Sequence, residues 1–238
     1  MTLDLGTKVG DVVLAWPQAM RYLESQGVDY CCGGHRTLGE ACAAAGLAPE
    51  AILTGLTALE APAPVAPSPQ SWLKASLTAL MDHLESSHHA YLRAELPRLE
   101  ALLQKVLRAH GEHHPELQAV SARFEELSAD LIPHLMKEEQ ILFPFIRQME
   151  AGESGSACFG TVQSPIRVME AEHEAVGGML ADLRAFTKGY AVPADGCASF
   201  QALYDGLRAL EADTHLHIYL ENQLLHPRAV AMEATSRR

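Results

Sequence analysis

The stretch IPHLMKEEQILFPF, residues 132–145, places a histidine and a carboxylate four residues apart, at His134 and Glu138. Because side chains at this spacing lie on one face of an α-helix, one turn apart, both can approach the same metal ion. The same spacing recurs near the other end of the chain, at His217 and Glu221. Two such pairs on separate helices predict two half-sites for two metal ions.

The composition of the chain favours helix and excludes several classes of partner. Hydrophobic residues make up 48% of the 238 residues and aromatic residues only 6%, and alanine and leucine are abundant. The net charge of −12 argues against nucleic acid or an anionic membrane surface as the main partner. We find neither an apolar run long enough to span a bilayer nor the features of a signal peptide. Five cysteines, two of them adjacent, do not form a secreted disulfide framework and predict a cytoplasmic location.

Proline-rich sequence divides the chain into two predicted domains. Residues 1–60 predict a small helical domain, in which Thr37 and Glu40 have the spacing of a capping box. Residues 61–70, APAPVAPSPQ, contain four prolines and predict an extended linker. Residues 71–238 predict four long helices with short connections. The predicted fold is therefore all-α, a small N-terminal helical domain followed by an antiparallel four-helix bundle.

Histidines and carboxylates of the predicted bundle form a candidate set of metal ligands. The set is His89, His110, His134, Glu138, His173, His217 and Glu221. Imidazole suits iron, zinc and copper, whereas carboxylates can bridge two hard cations. Structural zinc takes four ligands, usually including cysteine, so five imidazoles and two carboxylates predict two iron ions instead. His110 has the weakest support because it lies at a predicted helix end. Glu139 and Glu172 are interpreted as solvated or as hydrogen-bond partners of the ligands.

The adjacent Cys31 and Cys32 lie in a predicted tight turn, because two glycines follow them. Adjacent cysteines do not readily chelate one ion, and the C-x-x-C spacing of thioredoxin-like sites is absent here. Two interpretations stay open. The segment is either a small buried turn or an exposed thiol pair that can be oxidised, react with nitric oxide or pass iron onward.

The order of these motifs resembles the iron–sulfur cluster repair di-iron proteins, the repair of iron centres family, with their hemerythrin-like domain. The matching segments are His88-His89-x-Tyr91 with Leu96-Pro97, His134-x3-Glu138-Glu139 through Pro144, Pro165 through His173, and His217-x3-Glu221-Asn222 before Pro227. Residues 28–34, VDYCCGG, are similar to the short cysteine-bearing domain of that family. Together these segments cover nearly the whole chain.

The resemblance implies a site and a function. It implies that the seven candidate ligands bind two iron ions, with Glu138 and Glu221 as bridges. It also favours a thiol role for Cys31 and Cys32. The implied function is the restoration of iron–sulfur clusters damaged by nitric oxide or peroxide, through iron donation, nitric oxide reduction or both. Damaged iron–sulfur proteins, nitric oxide or oxygen, and a second copy in a homodimer are the partners it implies.

Other functions are compatible with the same residues. A hemerythrin-like sensor or carrier would bind oxygen or nitric oxide reversibly, without turnover or loss of iron. A nitric oxide reductase would couple two bound molecules to nitrous oxide, with one electron from each iron. Iron storage has less support, because ferritin-type sites use E-x-x-H pairs and more carboxylates. The sequence does not decide between donor, reductase and sensor.

Overall fold

All the regular structure of the protein is helical in the part of the chain that the computed structural model describes, residues 3–59, 69–153 and 160–236. The predicted all-α class is thereby confirmed. Most of the predicted linker, residues 61–70, lies outside the described residues. None of the described helices combines the length with the apolar composition that crossing a membrane requires.

The chain forms two compact units. The first comprises Met1–Leu80 together with Ile218–Arg238, and the second comprises Met81–His217. The first unit therefore combines the N-terminal helices with the C-terminal end of the chain.

Four short helices build the N-terminal part of the first unit. They are α1 (Val9–Ala15), α2 (Ala19–Ser25), α3 (Leu38–Ala45) and α4 (Pro49–Thr57), with a 3₁₀ turn at Gly33–His35. The predicted capping box is confirmed, since Thr37 Oγ1 accepts a hydrogen bond from the Glu40 backbone N–H and Glu40 Oε2 accepts one from the Thr37 N–H. This box begins α3 directly after the cysteine turn.

Longer continuous helical stretches, some made of two helices joined by a π-helical turn, build the rest of the described chain. After the short α5 (Pro69–Trp72) come α6 (Leu77–His83), α7 (Ala90–His110), α8 (Glu116–Lys137), α9 (Phe143–Glu150), α10 (Gln163–Phe186), α11 (Ala198–Tyr219) and α12 (His226–Ser236). Three π-helical turns, at Leu84–His89, Glu138–Leu142 and Leu220–Leu225, join α6 to α7, α8 to α9 and α11 to α12. Such turns are frequent at functional sites.

The second unit is an antiparallel bundle. Along α8, Arg123 pairs with Asp182 of α10 at 3.1 Å, whereas Lys137, near the other end of α8, pairs with Glu172. The contact positions therefore rise along α8 while they fall along α10, as antiparallel neighbours require. Helix α8 also packs against α7, and Arg184 of α10 donates to a carboxylate of α11.

The apolar core of the bundle continues directly into the candidate ligands. On α8 the buried apolar residues follow a three–four spacing: Leu117, Val120, Phe124, Leu127 and Leu131. His134 and Glu138 take the next two positions of this series. On α10, His173 lies between the buried Met169 and Val176 at the same spacing. The candidate ligands thus replace apolar residues at one level of the bundle core.

Within the first unit, the end of α11 and the π-helical turn that follows it bind the N-terminal segment, including the cysteine turn. Tyr219 Oη donates to the Gly10 carbonyl at 3.0 Å, and Gln223 Nε2 donates to the Cys31 carbonyl at 3.2 Å. A Cβ atom at Gly34 would lie 2.8 Å from Gln223 Nε2. A side chain at position 34 would therefore displace the end of the Gln223 side chain from the turn.

Candidate metal centre

Five of the predicted ligands meet inside the second unit. They are His89, His134, Glu138, His173 and His217, and each is at most 2% exposed. One ligand atom each of His89, His217 and Glu138 lie within 4.8 Å of one another, and the same holds for His134, His173 and Glu138. Glu138 belongs to both groups. A carboxylate shared in this way can bridge two cations.

The distances within the two groups are short. The Nε2 atom of His89 lies 3.4 Å from Glu138 Oε2, and that of His134 lies 3.2 Å from Glu138 Oε1. The Nε2 atoms of His89 and His217 are 3.3 Å apart, and those of His134 and His173 are 3.1 Å apart. Four imidazoles therefore direct ring nitrogens toward one buried carboxylate.

A carboxylate outside the centre fixes the orientation of the His89 ring. Glu139 Oε1 accepts a hydrogen bond from His89 Nδ1 at 2.8 Å. Arg93 binds the same carboxylate through two N–H groups, at 2.7 and 2.8 Å. The hydrogen bonds from Arg93 first, and then that from His89, lower the pKa of Glu139 in spite of its partial burial. The carboxylate is therefore ionised at neutral pH and keeps accepting from the ring.

The His134 ring is held in the same way from another helix. Glu172 Oε2 of α10 lies 2.9 Å from His134 Nδ1, and Lys137 donates to the other oxygen of Glu172. Burial raises the pKa of Glu172, but the hydrogen bonds from Lys137 and His134 outweigh it and the pKa is lowered overall. Histidines that bind metals commonly donate their second ring N–H to a carboxylate in this manner.

The hydrogen bonds to Glu139 and Glu172 determine which ring nitrogen of His89 and His134 carries the lone pair that faces the centre. A neutral imidazole that donates from Nδ1 carries a lone pair on Nε2. His89 and His134 therefore direct lone pairs at Glu138, whose two buried oxygens accept no hydrogen bond in the described structure. A cation placed among them would be bound by these lone pairs and by both carboxylate oxygens. The nitrogen and oxygen donors, with no thiolate among them, fit a non-haem iron site.

Glu221 follows His217 by four residues and lies in the π-helical turn Leu220–Leu225, where its side chain is fully buried. The spacing and the burial match those of His134 and Glu138. Glu221 stays the predicted second carboxylate ligand.

His110 does not join this centre. His89 directly precedes α7 and His110 ends it, so 21 residues separate the two. At 1.5 Å per residue, this corresponds to about 30 Å along the helix axis. The prediction that His110 binds the same pair of ions is therefore wrong. Its Nε2 atom instead lies 3.2 Å from the sulfur of Cys197. The backbone N–H of Phe200, together with His110, lowers the pKa of that thiol to about 7.

The cysteine turn of the first unit is organised around a carboxylate. Asp29 accepts hydrogen bonds from the backbone N–H groups of Cys31, Cys32 and Gly33, at 3.0, 3.0 and 2.8 Å. Cys31 is buried, and its thiol contact with Cys32, its burial and the nearby Asp29 raise its pKa. The interpretation as an exposed thiol pair is wrong for Cys31, whereas Cys32 is half-buried. A thiol role for this pair stays a prediction.

Sequence reasoning missed the cations that hold the outer carboxylates. Arg93 lies four residues after His89, and Lys137 lies three residues after His134. A cation one turn beyond a ligand histidine, on the same helix face, is the signal that points to them. It missed Asp213 as well, which lies 3.0 Å from Nδ1 of the buried His88.

Comparison with known proteins agrees with this geometry. The hemerythrin HHE cation binding domain matches residues 69–229, and the ScdA_N domain, of unknown function, matches residues 5–60. The chain is 36% identical over 225 residues to the iron-sulfur cluster repair proteins YtfE of Yersinia pseudotuberculosis serotype IB (strain PB1/+) and Escherichia coli O157:H7. These alignments cover 94% of this chain and 97% of each relative. The resemblance inferred from the motifs is confirmed, and the chain belongs to the family of the YtfE iron–sulfur cluster repair proteins.

Proposed function

We propose that this chain binds two iron ions at the buried centre and acts in the repair of iron–sulfur clusters damaged by nitrosative or oxidative stress. The printed names of its relatives support repair. One observation supports the di-iron centre most directly: the Glu138 carboxylate, free of hydrogen bonds, lies between imidazole lone pairs of His89 and His134. When bound, two ferrous ions supply iron for a damaged cluster or electrons for the reduction of nitric oxide.

The proposed ligands divide into two sets that share carboxylates. His89 and His217 serve one ion, and His134 and His173 serve the other, with Glu138 common to both. Glu221 is proposed as the second bridge, on its spacing and burial. With these residues as ligands, the bound ions would supply a redox-active site that a small ligand such as nitric oxide or oxygen can reach.

The outer hydrogen bonds link the buried centre to the surface of the second unit. The side chains of Arg93 and Lys137 are 43% and 42% exposed, and each binds a carboxylate that holds a buried histidine. While Glu139 and Glu172 are ionised, they keep a proton on Nδ1 of the two rings and a lone pair directed at the centre. Because their pKa values are lowered, this state is retained at neutral pH and is lost only as the pH falls through those lowered values.

Replacing either outer carboxylate by its amide should weaken iron binding while leaving the fold intact. Glu139→Gln and Glu172→Gln keep the side-chain shape but remove the charge that orients His89 and His134. We expect a loss of iron affinity of about 10- to 100-fold for each variant. Competition with a ferrous chelator measures it. Glu174→Gln, at an exposed position beside His173, is the matched control, and affinities equal to this control would contradict the role given to the outer pairs.

The proposed function is tested with the full chain, loaded anaerobically with ferrous iron. The protein is mixed with the apo form of a [4Fe–4S] enzyme, and the iron transferred and the activity recovered are measured. In parallel, nitric oxide is added and the release of nitrous oxide is followed. Glu138→Ala serves as the variant without the centre.

The outcomes separate the hypotheses. Iron transfer with recovery of the enzyme supports repair by donation, and catalytic nitrous oxide with both ions retained supports repair by nitric oxide reduction. Reversible binding of oxygen or nitric oxide, with neither transfer nor turnover, would support the sensor or carrier and would overturn the proposal.

A further inference from the structure

A second cluster of metal-ligand side chains lies in the second unit, where α7 ends and α11 begins. One ligand atom from each of His110, His114 and Asp195 lies within 4.8 Å of the other two. His114 Nε2 is 3.1 Å from both carboxylate oxygens of Asp195. The His114 backbone N–H donates to the His110 carbonyl at 2.9 Å, so the helical turn continues and both rings lie on one side.

One buried aromatic residue packs against both imidazole rings of this cluster. Phe200 is fully buried, and its ring lies 5.3 Å from the ring of His110 and 5.3 Å from that of His114, edge-on to both. This packing limits the rotation of both imidazoles and leaves their nitrogens facing outward. The cluster is therefore held in place by the core, although it opens to solvent.

An outer carboxylate orients one of these rings, as in the first centre. Glu116 Oε1 lies 3.0 Å from His114 Nδ1 and both Asp195 oxygens lie 3.1 Å from Nε2, so both ring nitrogens donate to carboxylates. The hydrogen bond to Asp195 first, and then that to Glu116, raises the pKa of His114, and a cation bound at Nε2 would displace the proton there. The bonds that Glu139 and Glu172 accept from the rings of the buried centre follow the same pattern. A ring N–H that donates to a carboxylate on the side away from the proposed ion is typical of metal-binding histidine.

A thiol lies next to this group of three, close to one of its rings but not within 4.8 Å of all three ligand atoms. Cys197 follows Asp195 by two residues at the start of α11, and its sulfur lies 3.2 Å from His110 Nε2. In a tetrahedral zinc site, bond lengths of about 2.0–2.1 Å to nitrogen and about 2.3 Å to sulfur separate neighbouring donors by roughly 3.3–3.6 Å. The observed separations of 3.1 and 3.2 Å are close to this range. They also match the 3.1–3.4 Å separations within the buried centre.

We propose that His110, His114, Asp195 and Cys197 bind a single zinc-class divalent cation, separate from the di-iron centre. Two imidazoles, one carboxylate and one thiolate form a mixed set that suits zinc, whereas magnesium and calcium prefer oxygen donors alone. About 30 Å of α7 separates His110 from the level of His89. Because the Asp195 side chain is 61% exposed, the ion would exchange with solvent and would fasten the α7–α8 turn to the start of α11.

The test uses the full chain with its iron centre loaded, titrated with zinc chloride under anaerobic conditions. Bound zinc per chain is measured, and alkylation of Cys197 is followed by peptide mass spectrometry. His114→Ala removes a ligand, whereas His113→Ala makes the same substitution at the exposed neighbour. Cobalt chloride, as a second probe, reports a thiolate ligand through its charge-transfer absorption, which Cys197→Ser should abolish.

We expect wild type and His113→Ala to bind about one zinc ion per chain beyond the iron, with strong protection of Cys197 from alkylation. His114→Ala should lose at least tenfold in zinc affinity and lose the protection. No additional zinc in wild type, equal zinc in His114→Ala, or unchanged alkylation of Cys197 would each overturn the proposal. A cobalt–thiolate band that persists in Cys197→Ser would overturn it as well.

Discussion

Replacing Glu138 by alanine should abolish the retention of two iron ions. The side chain is fully buried, and its two oxygens face His89 and His134 separately, so that one substitution removes a ligand from both ions. Loss of a residue that only hydrogen-bonds to a metal ligand typically lowers metal affinity 10- to 100-fold. We therefore expect a loss of more than about 100-fold, and less than one iron per chain after anaerobic gel filtration.

The matched control for this prediction is Glu174→Ala, which removes an exposed carboxylate beside the ligand His173. Glu221→Ala should also lower the iron content, because we propose it as the second bridge. Retention of two ions by Glu138→Ala would show that the buried groups bind no iron through this carboxylate. Retention by Glu221→Ala alone would leave a centre with a single carboxylate bridge.

The pairs at His134 with Glu138 and at His217 with Glu221 could be predicted from sequence because helix geometry alone brings their members together. The first pair also continues the apolar series of α8, which ends at the buried Leu131. A polar pair that continues the row of buried apolar residues along one helix face must itself be buried. A buried polar group requires a hydrogen-bonding partner or an opposite charge. Helix spacing and apolar periodicity therefore predicted the centre of the site.

The location of His110 relative to the metal centre could not be predicted from helix periodicity alone. His110 follows the buried Leu103 and Val106 at the three–four spacing of α7, as His89 precedes Leu92 and Leu96. Periodicity therefore assigns both histidines to the same helix face and cannot tell the two ends of the helix apart. Their separation of about 30 Å follows only when the rise per residue is combined with the level of the other ligands.

The π-helical turns were not predicted, although a signal for two of them is present. Pro144 lies six residues after Glu138, and Pro227 lies six residues after Glu221. Proline cannot donate to the carbonyl one turn earlier, and its ring crowds that carbonyl, so the turn before it widens. The pattern consists of a histidine, a glutamate four residues later and a proline six residues after the glutamate. It places a carboxylate at the start of a π-helical turn.

Removing the iron should lower the melting temperature of the protein substantially. Without a cation, the Glu138 carboxylate is buried among imidazole lone pairs with no hydrogen bond, which is unfavourable for the folded state. A ligand present at 1,000 times its dissociation constant stabilises the folded protein by about 4 kcal/mol. At 2–4 °C per kcal/mol for a chain of this size, we expect a difference of about 10 °C between iron-loaded and chelated protein. Anaerobic thermal unfolding followed by circular dichroism measures it.

Glu138→Leu separates the effect of the ion from that of the buried charge. Leucine is similar in volume to glutamate but leaves no charge to be compensated, so the variant should melt at the same temperature with and without iron. Because replacing a buried polar group that has no hydrogen bond by an apolar side chain of similar volume often stabilises a protein, metal-free Glu138→Leu should melt above metal-free wild type. A variant that melts below metal-free wild type would contradict this prediction. The expected order implies that Glu138 is present for metal binding, since in the absence of the ion it lowers the stability of the bundle that positions it.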